Sequence, residues 1–126
     1  MERKIINADN APKAVGPYPH AVKIGDFVFT SGQIPLDASS GEVVSDAVDA
    51  QTRQVLENLK AVLEASGTEL GKVVKTTIFL TNMGDFKTVN EIYAEYFGQS
   101  LPARSTVQVA ALPLGVQVEI EAVAAV

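Results

Sequence analysis

The end of the chain, about Val116–Ala124, reads as a β-strand that is apolar at nearly every position. Alternation along it predicts two apolar faces: Val116, Val118, Ile120, Ala122 and Ala124 on one, Val123 and Ala125 on the other. A strand that is apolar on both faces needs cover on both sides. A chain of 126 residues offers few elements to provide it. We therefore expect a second copy to supply the missing cover, in a closed homo-oligomer.

The rest of the pattern predicts two helices and four further strands. Ala21–Ile24 and Phe27–Ser31 bracket Gly25-Asp26, a two-residue hairpin turn. The remaining strands are predicted at Val73–Leu80 and at about Arg104–Val109. The first helix carries one apolar stripe and ends at Gly67; the stripe comprises Val48, Val55, Leu56, Leu59, Val62 and Leu63. The second helix begins at Asn82 and ends at Gly98, with Phe86, Val89, Tyr93 and Phe97 on one face.

This order of elements predicts a single α+β domain over residues 1–126. Crossover connections of the preferred hand would place both helices on one face of a mixed sheet. With 47% apolar residues the chain should fold rather than remain disordered.

Charge and composition exclude several functions. The net charge of −5 and the pI of about 4.8 work against binding of phosphate backbones, so we expect no nucleic-acid partner. The absence of cysteine excludes disulfides and thiol nucleophiles. No apolar stretch approaches the roughly 20 residues of a membrane helix, and no signal peptide is visible. We expect a cytoplasmic protein that does not associate with membranes.

Arg104 is the only charged residue between Leu101 and Val118. Burying a charge is costly unless it is paired or used. With Glu119 and Glu121 expected on the strand beside it, two interpretations remain open. Either the planar guanidinium of Arg104 binds a small carboxylate, or Arg104 is a structural partner of one of these glutamates. Because the two glutamates point to the same face and repel, at least one should have a cationic or hydrogen-bonding partner.

Other polar residues also allow two interpretations. Asn90 lies on the apolar face of the second helix and either braces a loop or contacts a ligand. Tyr18, in a proline-rich loop, either faces a pocket or simply packs. Ser31-Gly32 lies at the end of a strand, and its backbone N–H groups either face an anion or belong to a simple turn.

Two further charged or titratable residues have simpler interpretations. Arg53, between Asp49 and Glu57, is expected in a solvated ladder of ion pairs along its helix. His20, the only histidine, has no neighbours at metal-ligand spacing, so no metal site is expected.

These residues resemble a known family. Pro102-Ala-Arg-Ser-Thr-Val107, then Ala110 and Leu112, then Val118-Glu-Ile-Glu-Ala-Val123 is similar to the signature of the RidA/YjgF/UK114 family of 2-iminobutanoate/2-iminopropanoate deaminases. The resemblance spans essentially the whole chain, and its other matching positions are Ala11-Pro, Gly16-Pro-Tyr18, Thr30-Ser-Gly-Gln-Ile-Pro35, Gly41-Glu, Gln51, Asn58-Leu-Lys, Val74-Lys-Thr-Thr77, Asp85-Phe and Val89-Asn90.

The resemblance implies a chorismate-mutase-like α+β fold and a homotrimer with three clefts between subunits. The residue matching Arg104 holds the substrate carboxylate in that family, and the one matching Glu119 handles the water and the proton. Residues matching Tyr18, Ser31, Gly32 and Asn90 line or brace the cleft. This chain has Thr106 where cysteine is frequent, and the backbone N–H of Thr106 can still meet a carboxylate. It has His20 where glutamine is frequent.

The implied chemistry suits the residues. A 2-imino acid has a carboxylate for Arg104 to orient and a C=N carbon that water can attack. Glu119 can accept the proton of water, return it to departing ammonia, or protonate the carbon of the enamine tautomer. A protonated imine is already electrophilic, so neither a cofactor nor a metal is expected. Two other functions stay open: a non-catalytic carboxylate-binding or regulatory module using the same cleft, and an endoribonuclease, which the acidic balance disfavours.

Overall fold

The computed structural model describes residues 1–126 as one six-stranded sheet with two helices. The strands, in chain order, are β1 (Arg3–Ile6), β2 (Ala21–Ile24), β3 (Phe27–Thr30), β4 (Val73–Leu80), β5 (Ala103–Gln108) and β6 (Val118–Ala125). Their order across the sheet is β1-β2-β3-β6-β4-β5. Only β4 and β5 pair in parallel, and every other pair is antiparallel. The predicted mixed sheet is confirmed.

Two helices cover one face of this sheet, as the sequence predicts. Helix α1 (Val48–Ala65) packs across β6, and α2 (Phe86–Phe97) connects the parallel strands β4 and β5. Gly67 follows α1 with a φ of 83°, a left-handed conformation that glycine adopts without strain. Neither α1 nor α2 combines the length and the apolar character that spanning a membrane requires.

The helices cover one face of β6 and leave the other face open. Its residues Val118, Ile120, Ala122 and Ala124 are at most 2% exposed beneath the helices, in the main core with Leu56, Leu59, Ile78, Leu80 and Phe97. The opposite face carries Glu119, Glu121, Val123 and Ala125, which are only partly buried. No helix lies on that side, and neighbouring Phe27 and Phe29 are 45% and 46% exposed there. The chain thus leaves an apolar sheet face without cover.

Three predictions about individual elements are wrong. The sequence predicted five strands, but β1 adds a sixth at the edge, too short and too charged to show an apolar pattern. Phe86, predicted on the buried face of α2, is 39% exposed at the start of that helix. Arg53 does not form a ladder with its own helix, because both its terminal nitrogens donate to the carboxylate of Glu95 on α2.

Asn58 connects α1 to the loop that follows β3. Its Nδ2 donates to the carbonyl oxygens of Ile34 at 3.1 Å and Leu36 at 3.0 Å, and its Oδ1 accepts from Gln54 at 2.8 Å. The side chain is 2% exposed, so water does not replace these bonds. Asn58 therefore fixes the loop directly after Gly32.

We predict that Asn58→Ala lowers the free energy of unfolding by about 2–4 kcal/mol, because two buried carbonyl oxygens lose their donor. Urea unfolding measures the change. Gln54→Ala, which removes only the bond to Asn58 Oδ1, serves as the control and should cost much less. Equal losses in the two variants would contradict the role assigned to the buried amide.

Candidate functional site

Arg104 lies on the helix-covered face of the sheet. It pairs in register with Thr76 of the parallel strand β4, and Thr76 is fully buried beneath the helices. The guanidinium carbon Cζ of Arg104 is 4.9 Å from the ring centre of Tyr93 and 5.5 Å from that of Phe86, both on α2. At these distances the ring faces attract the cation.

The two predicted acidic neighbours of Arg104 lie elsewhere. Strand β4 separates β5 from β6, and the register pairs Phe79 with Glu119 and Thr77 with Glu121 on the open face. Arg104 therefore faces away from both glutamates, and the expectation that they occupy the strand beside it is wrong. Within the chain no ion pair joins Arg104 to either glutamate, since the only one joins Arg53 to Glu95.

Two unpaired polar atoms accompany Arg104. Asn90 lies with Arg104 in a surface groove whose other lining residues are Tyr93, Ala94, Phe97, Gly98, Leu101 and Pro102. The Oδ1 of Asn90 is buried without a hydrogen-bond partner, and no side-chain hydrogen bond joins Asn90 to a loop, so of its two interpretations the loop brace is not supported. The Oγ1 of Thr106, two residues along β5, is also buried and unpaired. Buried polar atoms are rarely left unpaired, which suggests an outside partner. We call Arg104, Asn90 and Thr106 the arginine half-site.

A second group of predicted residues gathers around Glu119. The carboxylate of Glu119 packs so closely on Gly32 that a Cβ at this position would overlap it, so only glycine allows the contact. The N–H of Gly32 donates to no atom of the chain, as expected of a backbone group that faces an anion. Tyr18, which is 43% exposed, lines a small cleft together with Gly32. We call Tyr18, Ser31, Gly32 and Glu119 the glutamate half-site.

The loop that holds Tyr18 is tied down by Ser31 and His20. Ser31 Oγ donates to the Pro19 carbonyl oxygen at 2.7 Å. The backbone N–H of Ser31 donates to the His20 carbonyl oxygen at 2.9 Å. The buried His20 ring accepts the Ala8 N–H at Nδ1 and lies 2.7 Å from the Pro12 carbonyl oxygen at Nε2. Since a carbonyl only accepts, Nε2 carries the proton. The imidazole is thus part of the fold, a role that the sequence did not predict.

Burial, and secondarily the charge of Glu121, raises the pKa of the Glu119 carboxyl. Against expectation, no cation or hydrogen-bond donor of the chain pairs with either glutamate. An acid with a raised pKa keeps its proton to higher pH in the folded state than in the unfolded one. The contribution of this carboxyl to the free energy of unfolding is therefore fully present at low pH. It is lost as the pH rises through the pKa that the group has in the folded state.

We predict that Glu121→Gln lowers the pKa of Glu119, because the substitution removes the neighbouring negative charge while the Glu119 carboxyl stays equally buried. Titration of the Glu119 side-chain carboxyl by NMR measures this shift. Glu42→Gln, which changes an exposed acid outside the sheet, is the control with the same loss of charge. A Glu119 pKa that moves equally in both variants would mean that net charge, and not the pair, sets it.

Comparison with known proteins identifies the family of this chain. Residues 8–126 match the family model described as Endoribonuclease L-PSP. The 2-iminobutanoate/2-iminopropanoate deaminase of Salmonella typhimurium is 51% identical over 96% of each chain. That of Mus musculus is 52% identical over 97% of this chain and 90% of its own.

Solved structures give the same result for the fold. The YjgF gene product of E. coli superposes with a TM-score of 0.91 at 48% identity, over 97% of this chain and 98% of the other. The E. coli TdcF structure with bound serine gives 0.92 at 46% identity, over 98% of each chain. The chain therefore belongs to the RidA/YjgF family, whose matching family model is the one described as Endoribonuclease L-PSP.

Proposed function

We propose that this protein hydrolyses 2-imino acids and their enamine tautomers to 2-oxo acids and ammonia, in clefts between the subunits of a homotrimer. The observation that carries this proposal is the position of Arg104 and Glu119 on opposite faces of one sheet, two strands apart. The arginine half-site contains no acid, and the glutamate half-site contains no cation. A cleft that combines both residues needs Arg104 of one copy and Glu119 of another.

The contact between such copies joins two different patches, one around Arg104 and one around Glu119. A contact between unlike patches is heterologous, and it closes into a ring when the rotation allows it. The open face of β6 and the exposed rings of Phe27 and Phe29 supply apolar area for this interface. The half-buried, unpaired Glu119 and Glu121 would find their missing donors in the same interface.

The relatives support the choice of substrate. Two of them, at 51% and 52% identity, are named as 2-iminobutanoate/2-iminopropanoate deaminases. The TdcF structure contains serine, a small molecule with the same carboxylate on the carbon that bears nitrogen. A cleft that holds such a group requires a fork for the carboxylate, and Arg104 has no competing acid within the chain.

The reaction follows from the two half-sites. Arg104 holds the carboxylate and so positions the C=N carbon. Glu119 takes a proton from water as the oxygen bonds to that carbon, and the tetrahedral adduct forms. The proton then passes to nitrogen. As the C–N bond breaks and ammonia leaves, Glu119 takes the remaining hydroxyl proton, the carbonyl forms, and the proton is released to ammonia as ammonium. For the enamine, protonated Glu119 delivers its proton to carbon first. The raised pKa of this carboxyl favours both roles.

We predict that Arg104→Ala weakens binding of 2-oxobutanoate at least ten- to hundredfold, since each charge-assisted hydrogen bond contributes about 1.5–3 kcal/mol. Titration calorimetry measures it. Arg104→Lys should restore little, because an ammonium lacks the planar fork.

Arg53→Ala, which removes an exposed arginine paired to Glu95, is the control and should bind like wild type. Retained binding in Arg104→Ala together with a lower melting temperature would show that the arginine is structural.

We predict that Glu119→Gln keeps 2-oxobutanoate binding but slows imine hydrolysis about a hundredfold or more, because the amide has no basic site. Timing of 2-oxo acid release downstream of a pyridoxal-phosphate threonine dehydratase measures the rate. Turnover near that of wild type would mean that another group activates water.

We predict that mixed assemblies of Arg104→Ala and Glu119→Gln subunits regain activity that neither variant has alone. In a three-membered ring that contains both variants, about one cleft in three combines an intact Arg104 with an intact Glu119. Co-expression with two affinity tags isolates the mixed assemblies, and light scattering gives their mass. Activity no higher than the average of the two variants, or a monomeric mass, would exclude the shared cleft.

Two other functions are separated from this one by direct assays. A carboxylate-binding module would bind 2-oxobutanoate without accelerating imine hydrolysis above the spontaneous rate. An endoribonuclease would cleave or bind RNA, and the net charge of −5 disfavours this at physiological salt. The cytoplasmic location expected from the sequence stays a prediction, for cell fractionation to test.

A further inference from the structure

Arg104 has no acid to balance its charge, although its side chain is only partly exposed. Two aromatic rings of α2, those of Phe86 and Tyr93, take the place of an acid, at 5.5 Å and 4.9 Å from Cζ. A paired carboxylate would occupy the N–H groups of the guanidinium. A ring face attracts the cation while leaving those N–H groups free for another carboxylate.

Tyr93 is fixed in place independently of Arg104. Its hydroxyl lies 2.6 Å from Oγ1 of the fully buried Thr76, the residue beside Arg104 in the β4–β5 register. Its ring also packs on Phe97 with a centroid distance of 4.7 Å. Phe86, in contrast, lies at the exposed first turn of α2. The guanidinium therefore contacts one anchored ring and one that faces solvent.

We propose that Phe86 and Tyr93, together the aromatic pair, are positioning residues that hold the Arg104 guanidinium in its carboxylate-binding orientation. The inference rests on the proposed function, since it concerns how Arg104 is presented to the substrate. Phe86 is the informative member, because its ring contributes little to the core and its replacement should leave the fold intact.

The test is titration of 2-oxobutanoate into Phe86→Leu, Phe86→Trp and wild type, with thermal melts of each. Loss of one ring should weaken binding about two- to thirtyfold, the range from an exposed to a desolvated cation–π contact. Tryptophan, the strongest cation–π ring, should restore it. In the coupled imine assay Phe86→Leu should raise KM with little change in kcat, because Glu119 is untouched.

Tyr93 gives an independent comparison. Tyr93→Phe keeps the ring and loses the bond to Thr76, so its melting temperature should fall while binding stays within about twofold. Tyr93→Leu should lose both stability and binding. Tyr96→Leu is the matched control on the same helix, since the Tyr96 hydroxyl donates to Glu57 and its ring is not among the contacts of Arg104.

The outcomes separate this inference from the proposed function. If Arg104→Ala abolishes binding but Phe86→Leu and Tyr93→Leu bind like wild type, the aromatic pair does not position the arginine. If Phe86→Leu weakens binding and Phe86→Trp does not restore it, the ring acts by shape and the cation–π inference is wrong. If Arg104→Ala itself binds normally, the carboxylate clamp fails, and with it the role of the pair.

Discussion

Packing of β6 beneath α1 determines which side of the sheet is available for chemistry. With Val118 and Ile120 in the core, alternation along the strand sends Glu119 and Glu121 to the opposite face. A shift of one residue would put both carboxylates beneath the helix and the core residues in solvent. Because β6 pairs with β4 and β4 pairs with β5, the same register places Arg104 on the face that α2 covers.

This geometry explains why polar groups remain unpaired. Asn90 Oδ1 and Thr106 Oγ1 are buried without partners near the arginine, and Glu119 is half-buried without a cation. Each would be costly if it were a permanent state of the molecule. All of them lie in the two half-sites, while elsewhere buried amides such as Asn58 and Gln51 are hydrogen-bonded. Their distribution indicates binding surfaces rather than defects of folding.

Periodicity was sufficient to predict most of the fold, because burial makes a clear pattern in long elements. The strand Val73–Leu80 and the helix carrying Val55 and Leu59 appear as expected. Strand β1 was missed because four residues, two of them charged, carry no readable period. The structure gathers the predicted site residues into two groups, and the sequence did not predict the neighbours of each group. Sequence order placed Arg104 next to β6, whereas the parallel crossover through α2 inserts β4 between them and leaves Phe86 and Tyr93 as the contacts of the arginine.

The tautomer of His20 explains how the chain tolerates a histidine where the resemblance expects glutamine. A neutral imidazole with its proton on Nε2 presents one acceptor and one donor from opposite sides of a flat group, and a carboxamide does the same. At this position the two side chains are interchangeable as hydrogen-bonding connectors between Ala8 and Pro12. They differ in one respect, because the imidazole is a rigid ring whereas a carboxamide ends a flexible stem. In this chain, the ring therefore fixes the separation between the Ala8 amide and the Pro12 carbonyl oxygen, and with it the start of the loop that bears Tyr18.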